Sequence, residues 1–160
     1  MTDFDDSFES SLTGGLYEGD GIRFRYPEIW NLAEDRRHAE LTITVAADET
    51  AFWSITLLYD RPGAKQVLKQ AVEVFREEYD ELDEHPLKIE IAHQAAEGAD
   101  LEFVCWDLLN SAFLRVFRTG RFTVVLLAQT VDTELEQVLP VFEAITASLE
   151  CDLDGQILIH

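Results

Sequence analysis

The sequence predicts an α+β domain with a mainly antiparallel central sheet and two helices, at about residues 64–82 and 132–150. Three observations predict this class. Several segments alternate apolar and polar residues, which is typical of strands with one buried face. Two longer segments repeat apolar residues at intervals of three and four, as amphipathic helices do. Short connections separate the later strands, which favours hairpins over the long crossovers that parallel strands need.

The first half of the chain carries three predicted strands and the first helix. Residues 22–26 alternate apolar and charged side chains, and residues 41–45 alternate apolar side chains with threonine. Bulky residues on both faces of residues 52–59 indicate a strand that is covered on both sides. The apolar spacing becomes helical over residues 64–82, and we expect His85 and Pro86 to end this helix.

Four further strands and the second helix follow. The strands are predicted at residues 87–92, 101–108, 113–118 and 122–129, with connections at residues 97–100, 110–111 and 119–120. Residues 122–129 are apolar on both faces, so this strand is expected at the centre of the sheet. In the helix at 132–150, Thr133 and Glu136 have capping-box spacing, and Phe142 lies in the middle of the apolar stripe. Pro140 is expected to kink this helix or to remove a hydrogen bond.

Length and composition predict one domain. The chain has 160 residues, of which 47% are apolar, so residues 15–160 can form a single core behind a flexible acidic tail at residues 1–14. The acidic start lacks the basic and apolar segments of a secretory signal, and no apolar run approaches the roughly 20 residues of a membrane span. Cys105 and Cys151 are too few for a disulfide scaffold. We therefore expect a cytoplasmic protein with free thiols.

The charge is the most informative feature for function. The formal net charge is −20, which argues against nucleic acid and against an anionic membrane surface as partners. Residues 1–10, 77–84 and 132–154 contain 17 of the 32 acids and no lysine or arginine. These acids are either a solvated surface or a docking surface for a basic protein segment. The residues of the hypothetical docking surface are Glu77, Glu78, Asp80, Glu81, Glu134, Glu136 and Glu143.

Motifs for chemistry are missing from the sequence. The four histidines and two cysteines do not have metal-ligand spacing, and no glycine-rich phosphate loop opens a helix. Cys105 lies in a predicted strand, where a buried and inert thiol is expected. We therefore predict no metal, no cofactor and no catalytic residue.

Two short motifs resemble a known family. Residues 21–30 read Gly-Ile-Arg-Phe-Arg-Tyr-Pro-Glu-Ile-Trp, and residues 145–149 read Ile-Thr-Ala-Ser-Leu. Both motifs, and the order of elements between them, resemble the PsbP/Mog-like superfamily. The resemblance implies an αβα sandwich. It also implies a non-enzymatic role, because the superfamily includes a photosystem II extrinsic subunit, a Ran-GTPase binding factor, DcrB-like lipoproteins and Eag-type chaperones.

The expected function is a non-enzymatic cytoplasmic module for protein binding, as a chaperone or adaptor. Its partner would be a protein with a basic or apolar helical segment, and a homodimer is left open. The alternative is a small-molecule binder or hydrolase that uses a pocket between a helix and the sheet. A deep pocket with converging polar groups would favour the alternative, whereas an exposed apolar groove or an acidic face would favour the module.

Overall fold

Ten strands and two helices form the part of the chain that the computed structural model describes, residues 14–48 and 50–152. The helices are α1 (Ala64–Glu78) and α2 (Asp132–Ser148). The strands are β1 (Gly14–Gly19), β2 (Ile22–Pro27), β3 (Asn31–Arg37), β4 (Glu40–Ala46), β5 (Phe52–Leu58), β6 (Leu82–Ile91), β7 (Gln94–Cys105), β8 (Leu108–Arg118), β9 (Thr123–Val131) and β10 (Glu150–Cys151).

The larger sheet has seven antiparallel strands in the order β3-β4-β5-β9-β8-β7-β6. Strand β9 is the fourth of the seven, which confirms the central position expected from its two-sided apolar pattern. A smaller antiparallel sheet has the order β1-β2-β10. The predicted α+β class with a mainly antiparallel sheet is therefore confirmed.

The two helices pack on opposite faces of the larger sheet. Val72 of α1 lies in a cluster with side chains of β7 and β8, and Leu127 of β9 packs against the same cluster. The neighbouring Leu126 points to the other face, into a cluster that also contains Phe142 of α2 and Phe24 of β2. Successive residues of a strand face opposite sides, so β9 is covered twice.

The first helix ends earlier than predicted. Tyr79 is already extended, with φ −123° and ψ 123°, and Leu82 begins β6 opposite Phe103. The ring of Tyr79 stacks on Phe103 at 4.2 Å between centroids. Tyr79 and Leu82 therefore reach the apolar cluster of α1 without helical backbone, which is why their spacing suggested a longer helix.

The predicted helix end at His85 and Pro86 is also wrong, because both residues lie inside β6. Strand β6 is an edge strand of the larger sheet. A proline that lacks an N–H is tolerated at an edge, where one side of the strand has no ladder to complete. The predicted strand at 87–92 therefore begins five residues earlier, at Leu82.

The second helix differs from its prediction at both ends. It stops at Ser148, because Glu150 and Cys151 pair with β2 as β10. At its start, the residue before the helix is Val131 and makes no side-chain cap bond, so the capping box of Thr133 and Glu136 is wrong. Pro140 lies inside the helix without ending it.

Two turns lie where no turn was predicted. Residues 97–100 belong to β7 and residues 110–111 belong to β8, so they are not connections. The β6–β7 turn is Ala92-His93 and the β7–β8 turn is Trp106-Asp107, and all four residues have φ between 51° and 66°. Two-residue hairpin turns with positive φ usually carry Asn-Gly or Asp-Gly. Neither dipeptide resembles those signals. The strand predicted at 87–92 ended inside the first turn, and the strand predicted at 101–108 continued through the second.

Strands β1 and β3 were not predicted. Gly14 was assigned to the flexible tail but begins β1, whereas residues 1–13 lie outside the described residues. Strand β3 is polar along most of its length and exposed at the sheet edge, so it has no apolar alternation to detect. The end of the predicted domain, residues 153–160, also lies outside the described residues.

Replacing Trp106-Asp107 by Asn-Gly is expected to stabilise the protein by about 1–2 kcal/mol. Each residue other than glycine costs about 1–2 kcal/mol in left-handed backbone, and asparagine and glycine tolerate this region better. Trp106 is 92% exposed, so its removal forfeits little burial. The measurement is the urea midpoint of Trp106→Asn/Asp107→Gly. A midpoint below that of the wild type would contradict the prediction.

Candidate functional site

One end of the larger sheet collects several chain segments. Strand β7 ends at Cys105 and β8 begins at Leu108. The last residue of β9, Val131, pairs with Asn110 near the start of β8, so β9 ends at the same end of the sheet. Helix α2 starts directly after β9, and α1 ends where Tyr79 stacks on Phe103. We call residues 77–83, 104–110 and 131–136 the acidic end.

Six of the seven predicted docking residues lie at the acidic end. They are Glu77 and Glu78 in the last turn of α1, Asp80 and Glu81 before β6, and Glu134 and Glu136 in the first turns of α2. The first group lies at the end of α1 and the second lies at the start of α2. Because the two helices pack on opposite faces of the sheet, the two groups do so as well. The seventh residue, Glu143, lies further along α2 and lines a cleft instead.

The predicted acids differ in their surroundings. Glu134 is half-buried, and its Oε1 accepts hydrogen bonds from Thr50 Oγ1 at 3.1 Å and Thr130 Oγ1 at 3.4 Å. It therefore helps to hold the start of α2, where the helix dipole also favours an acid. Glu77 and Glu78 are exposed at the end of α1, where the dipole disfavours acids by a few tenths of a kcal/mol each (about 0.3 or more).

An exposed apolar hairpin lies between the two acidic groups, and sequence reasoning missed it. Trp106 at the β7–β8 turn is 92% exposed, and Val104, Leu108 and Leu109 are also exposed. Val104 and Leu109 are cross-strand partners, whereas Leu108 lies opposite Cys105. The apolar side chains therefore cover both faces of the hairpin. The one available signal was the adjacent Trp106-Asp107-Leu108-Leu109, which was assigned to a continuous strand up to residue 108.

A second candidate site is the cleft between α2 and the larger sheet, lined by residues of β5 and β6–β9 and by Arg25 of β2. Its volume is about 1000 Å³, and Phe113 and Phe142 contribute to its apolar lining. Two side-chain pairs form within the lining. Arg115 donates from Nη1 to Asp100 Oδ1 at 2.7 Å, and Trp53 donates from Nε1 to Thr146 Oγ1 at 3.0 Å. Arg25, Glu90, His93 and Glu143 also line the cleft, so it offers polar as well as apolar surface.

Cys151 also lines the cleft. Burial raises the pKa of its thiol to about 12, and the negative charge of Asp152 acts in the same direction. The thiol is therefore protonated at neutral pH, and only the thiolate is a good nucleophile. Both cysteines are free, so neither forms a disulfide among the described residues.

Two further properties concern residues 14–48 and 50–152. Within these ranges, no group of three or more histidine, cysteine, aspartate or glutamate residues is arranged to hold a metal ion. Neither of the two helices described has the length and apolar character needed to cross a membrane.

Comparison with known proteins gave structural matches only. No family model matches the chain, and no curated protein matches its sequence. The cyanobacterial PsbP protein (CyanoP) of Synechocystis superposes with a TM-score of 0.64 at 11% identity, over 85% of this chain and 91% of CyanoP. The chain has a PsbP-like fold. This finding confirms the PsbP part of the resemblance seen in the sequence.

Other solved structures share the fold. LpqN of Mycobacterium tuberculosis, which is involved in cell envelope biogenesis, matches with a TM-score of 0.53 at 13% identity, over 82% of this chain and 85% of LpqN. A Bacteroides thetaiotaomicron protein matches with a TM-score of 0.60 at 15% identity, over 91% of this chain but 51% of its own length. At such low identities the likeness concerns the fold and not the activity.

Proposed function

We propose that this protein is a non-enzymatic protein-binding module, an adaptor or chaperone, which binds a basic segment of a partner protein at the acidic end. The observation that carries this proposal is the register of the sheet, which gathers six of the seven predicted docking acids at one end. Residues 77–83, 104–110 and 131–136 contain no lysine or arginine. The negative potential at this end is therefore not neutralised by bases of the same segments.

Electrostatic attraction would act mainly on the rate of association. Complementary charges steer encounter, and salt screens them over about 8 Å at physiological ionic strength. Exposed ion pairs are worth only about 0–1 kcal/mol each, so charge alone gives little affinity. The module therefore needs apolar contacts as well, and the exposed side chains of the β7–β8 hairpin can provide them.

The proposal includes a finer description of the fold and setting. The packing of α1 and α2 on opposite faces of the larger sheet supports an αβα sandwich of the PsbP/Mog-like superfamily. The fold likeness to CyanoP is consistent with that superfamily. We further propose a cytoplasmic location, and a homodimer is one form in which the module could act.

The test compares two variants with equal charge changes. Glu78→Gln/Glu81→Gln removes two acids from the acidic end, and Glu28→Gln/Asp60→Asn removes two exposed acids that lie outside both candidate sites. The native partner, captured on the wild-type chain and purified, should associate several-fold more slowly with the first variant at low salt. This difference should disappear in 1 M salt, where the screening length is about 3 Å.

The second variant is the matched control, because it has the same net charge. We expect it to associate nearly as fast as the wild type. Equal slowing of both variants would show that only net charge matters, and salt-independent association of the wild type would contradict docking through charge. Either result would overturn the proposal.

The cleft supports a second candidate function, a small-molecule binder or hydrolase. Its volume of about 1000 Å³ is at the upper end of the usual range of ligand pockets, about 300–1,000 Å³. A metabolite that raises the melting temperature of the protein, and loses this effect in Ala147→Trp, would support this candidate. Ala147 is exposed and lines the cleft, so the larger ring would occupy part of its volume.

A further inference from the structure

We infer that the β7–β8 hairpin is the apolar anchor of the docking surface, and that the partner segment is amphipathic, with lysine or arginine on one side and large apolar side chains on the other. This inference rests on the proposed function, and it names the chemistry of the partner. It also assigns a role to Trp106, Leu108 and Leu109, which have no counterpart in the predicted docking residues.

The exposure of the hairpin is the first argument. Trp106 is 92% exposed, and Leu108, Leu109 and Val104 lie within two or three residues of it. Monomeric proteins rarely leave large apolar side chains in contiguous patches, and such patches mark contact surfaces. Tryptophan is also enriched among the residues that dominate binding energy in protein interfaces.

The hairpin is paired up to its turn, which is the second argument. Cys105 pairs with Leu108 and Val104 pairs with Leu109 directly beside the turn. Asn110 is buried, and its Nδ2 donates to the carbonyl oxygen of Leu108 at 3.0 Å. A preformed surface loses little conformational entropy on binding, so less of the free energy gained from its apolar contacts is offset.

Charge complementarity identifies the occupant. Asp107 lies in the turn itself. On one face of the sheet, the end of α1 and the residues after it carry Glu77, Glu78, Asp80 and Glu81. On the other face, the start of α2 carries Asp132 and Glu136. A segment that covers the hairpin must therefore approach acids on either side of its apolar contact. A basic amphipathic segment satisfies both requirements, whereas an anionic lipid surface would be repelled.

The experiment uses two synthetic 18-residue peptides of identical leucine and lysine content. In one the leucines form a single helical face, and in the other the same residues are scrambled so that no apolar face forms. We expect the wild-type full chain to bind the amphipathic peptide at least ten-fold more tightly. Trp106→Ala and Leu108→Ala should reduce this preference to about two-fold or less.

The matched control is Leu16→Ala, because Leu16 on β1 is 45% exposed and Leu108 is 46% exposed. This control variant should keep the ten-fold preference. In the wild type, binding should also shift the tryptophan emission to shorter wavelength, and Trp106→Ala should abolish the shift. A preference that survives in Trp106→Ala and Leu108→Ala would overturn the inference.

Failure of the inference can be told apart from failure of the proposed function. The proposed function predicts that Glu78→Gln/Glu81→Gln weakens binding of both peptides in a salt-dependent way, whatever the hairpin does. If Glu78→Gln/Glu81→Gln bound both peptides as tightly as the wild type at low salt, the proposed function would be overturned, and the inference with it. Binding of the wild type to phosphatidylcholine vesicles, with loss in Trp106→Ala, would assign the hairpin to a lipid surface and would overturn the protein partner.

Discussion

Phe142→Ala is expected to lower the free energy of unfolding by about 3–5 kcal/mol, because it removes a buried ring and leaves a cavity. Phe142 lies in the middle of α2 and is 3% exposed. Its ring contacts Trp30 at 6.2 Å and Phe113 at 6.4 Å between centroids. These contacts join α2 to the chain between β2 and β3 and to β8, so the loss should affect the whole fold.

The measurement is the urea midpoint, with Gln137→Ala as the control on an exposed position of the same helix. The control should unfold close to the wild type, because exposed substitutions usually change stability by less than about 0.5 kcal/mol. If Phe142→Ala unfolded at the wild-type midpoint, the apolar stripe of α2 would not be supporting the core.

Arg121→Met is expected to cost about 3 kcal/mol of stability, because it leaves a buried carboxylate without its positive partner. The side chain of Asp152 is 0% exposed, and Arg121 Nη1 donates to its Oδ2 at 2.9 Å. The other oxygen, Oδ1, accepts no hydrogen bond. The cost lies at the lower end of the range for buried pairs, because Arg121 is 40% exposed and water can reach that side.

The double variant Arg121→Met/Asp152→Asn separates the buried charge from the lost contact. Once the carboxylate is an amide, no buried charge remains, so the double variant should recover most of the stability lost by Arg121→Met. Urea denaturation at neutral pH measures all three proteins. A double variant as unstable as Arg121→Met would contradict this account, because the loss would then come from packing.

The docking residues show where sequence reasoning ends. The charge pattern identified three base-free acidic segments, and parts of two of them reach the same end of the larger sheet, on opposite faces. Sequence alone could not show that Glu78 and Glu136 belong to the same end, because this depends on which strands pair. Glu143 has the same charge and helix as Glu136 but lines the cleft, since it is two turns further along α2.

The hairpin shows a second limit. Trp106 follows the apolar residues of β7, so the local pattern predicted that it belongs to a strand. Its left-handed φ of 54° belongs to a turn that carries no Asn-Gly or Asp-Gly dipeptide, so the sequence does not predict it. The turn forms because pairing of β7 with β8, and of β8 with β9, leaves residues 106–107 as the connection.

The sequence by itself determined the α+β class, the apolar faces of both helices, the central strand β9 and the uneven distribution of acids. These properties depend on local periodicity and composition, which can be read within a window of a few residues. Only the tertiary structure decided that α1 ends at Glu78, that the acids of the two helices flank one end, and that Trp106 is exposed there. Each of these depends on register between segments far apart in the chain, and register is set by the packing of the whole sheet.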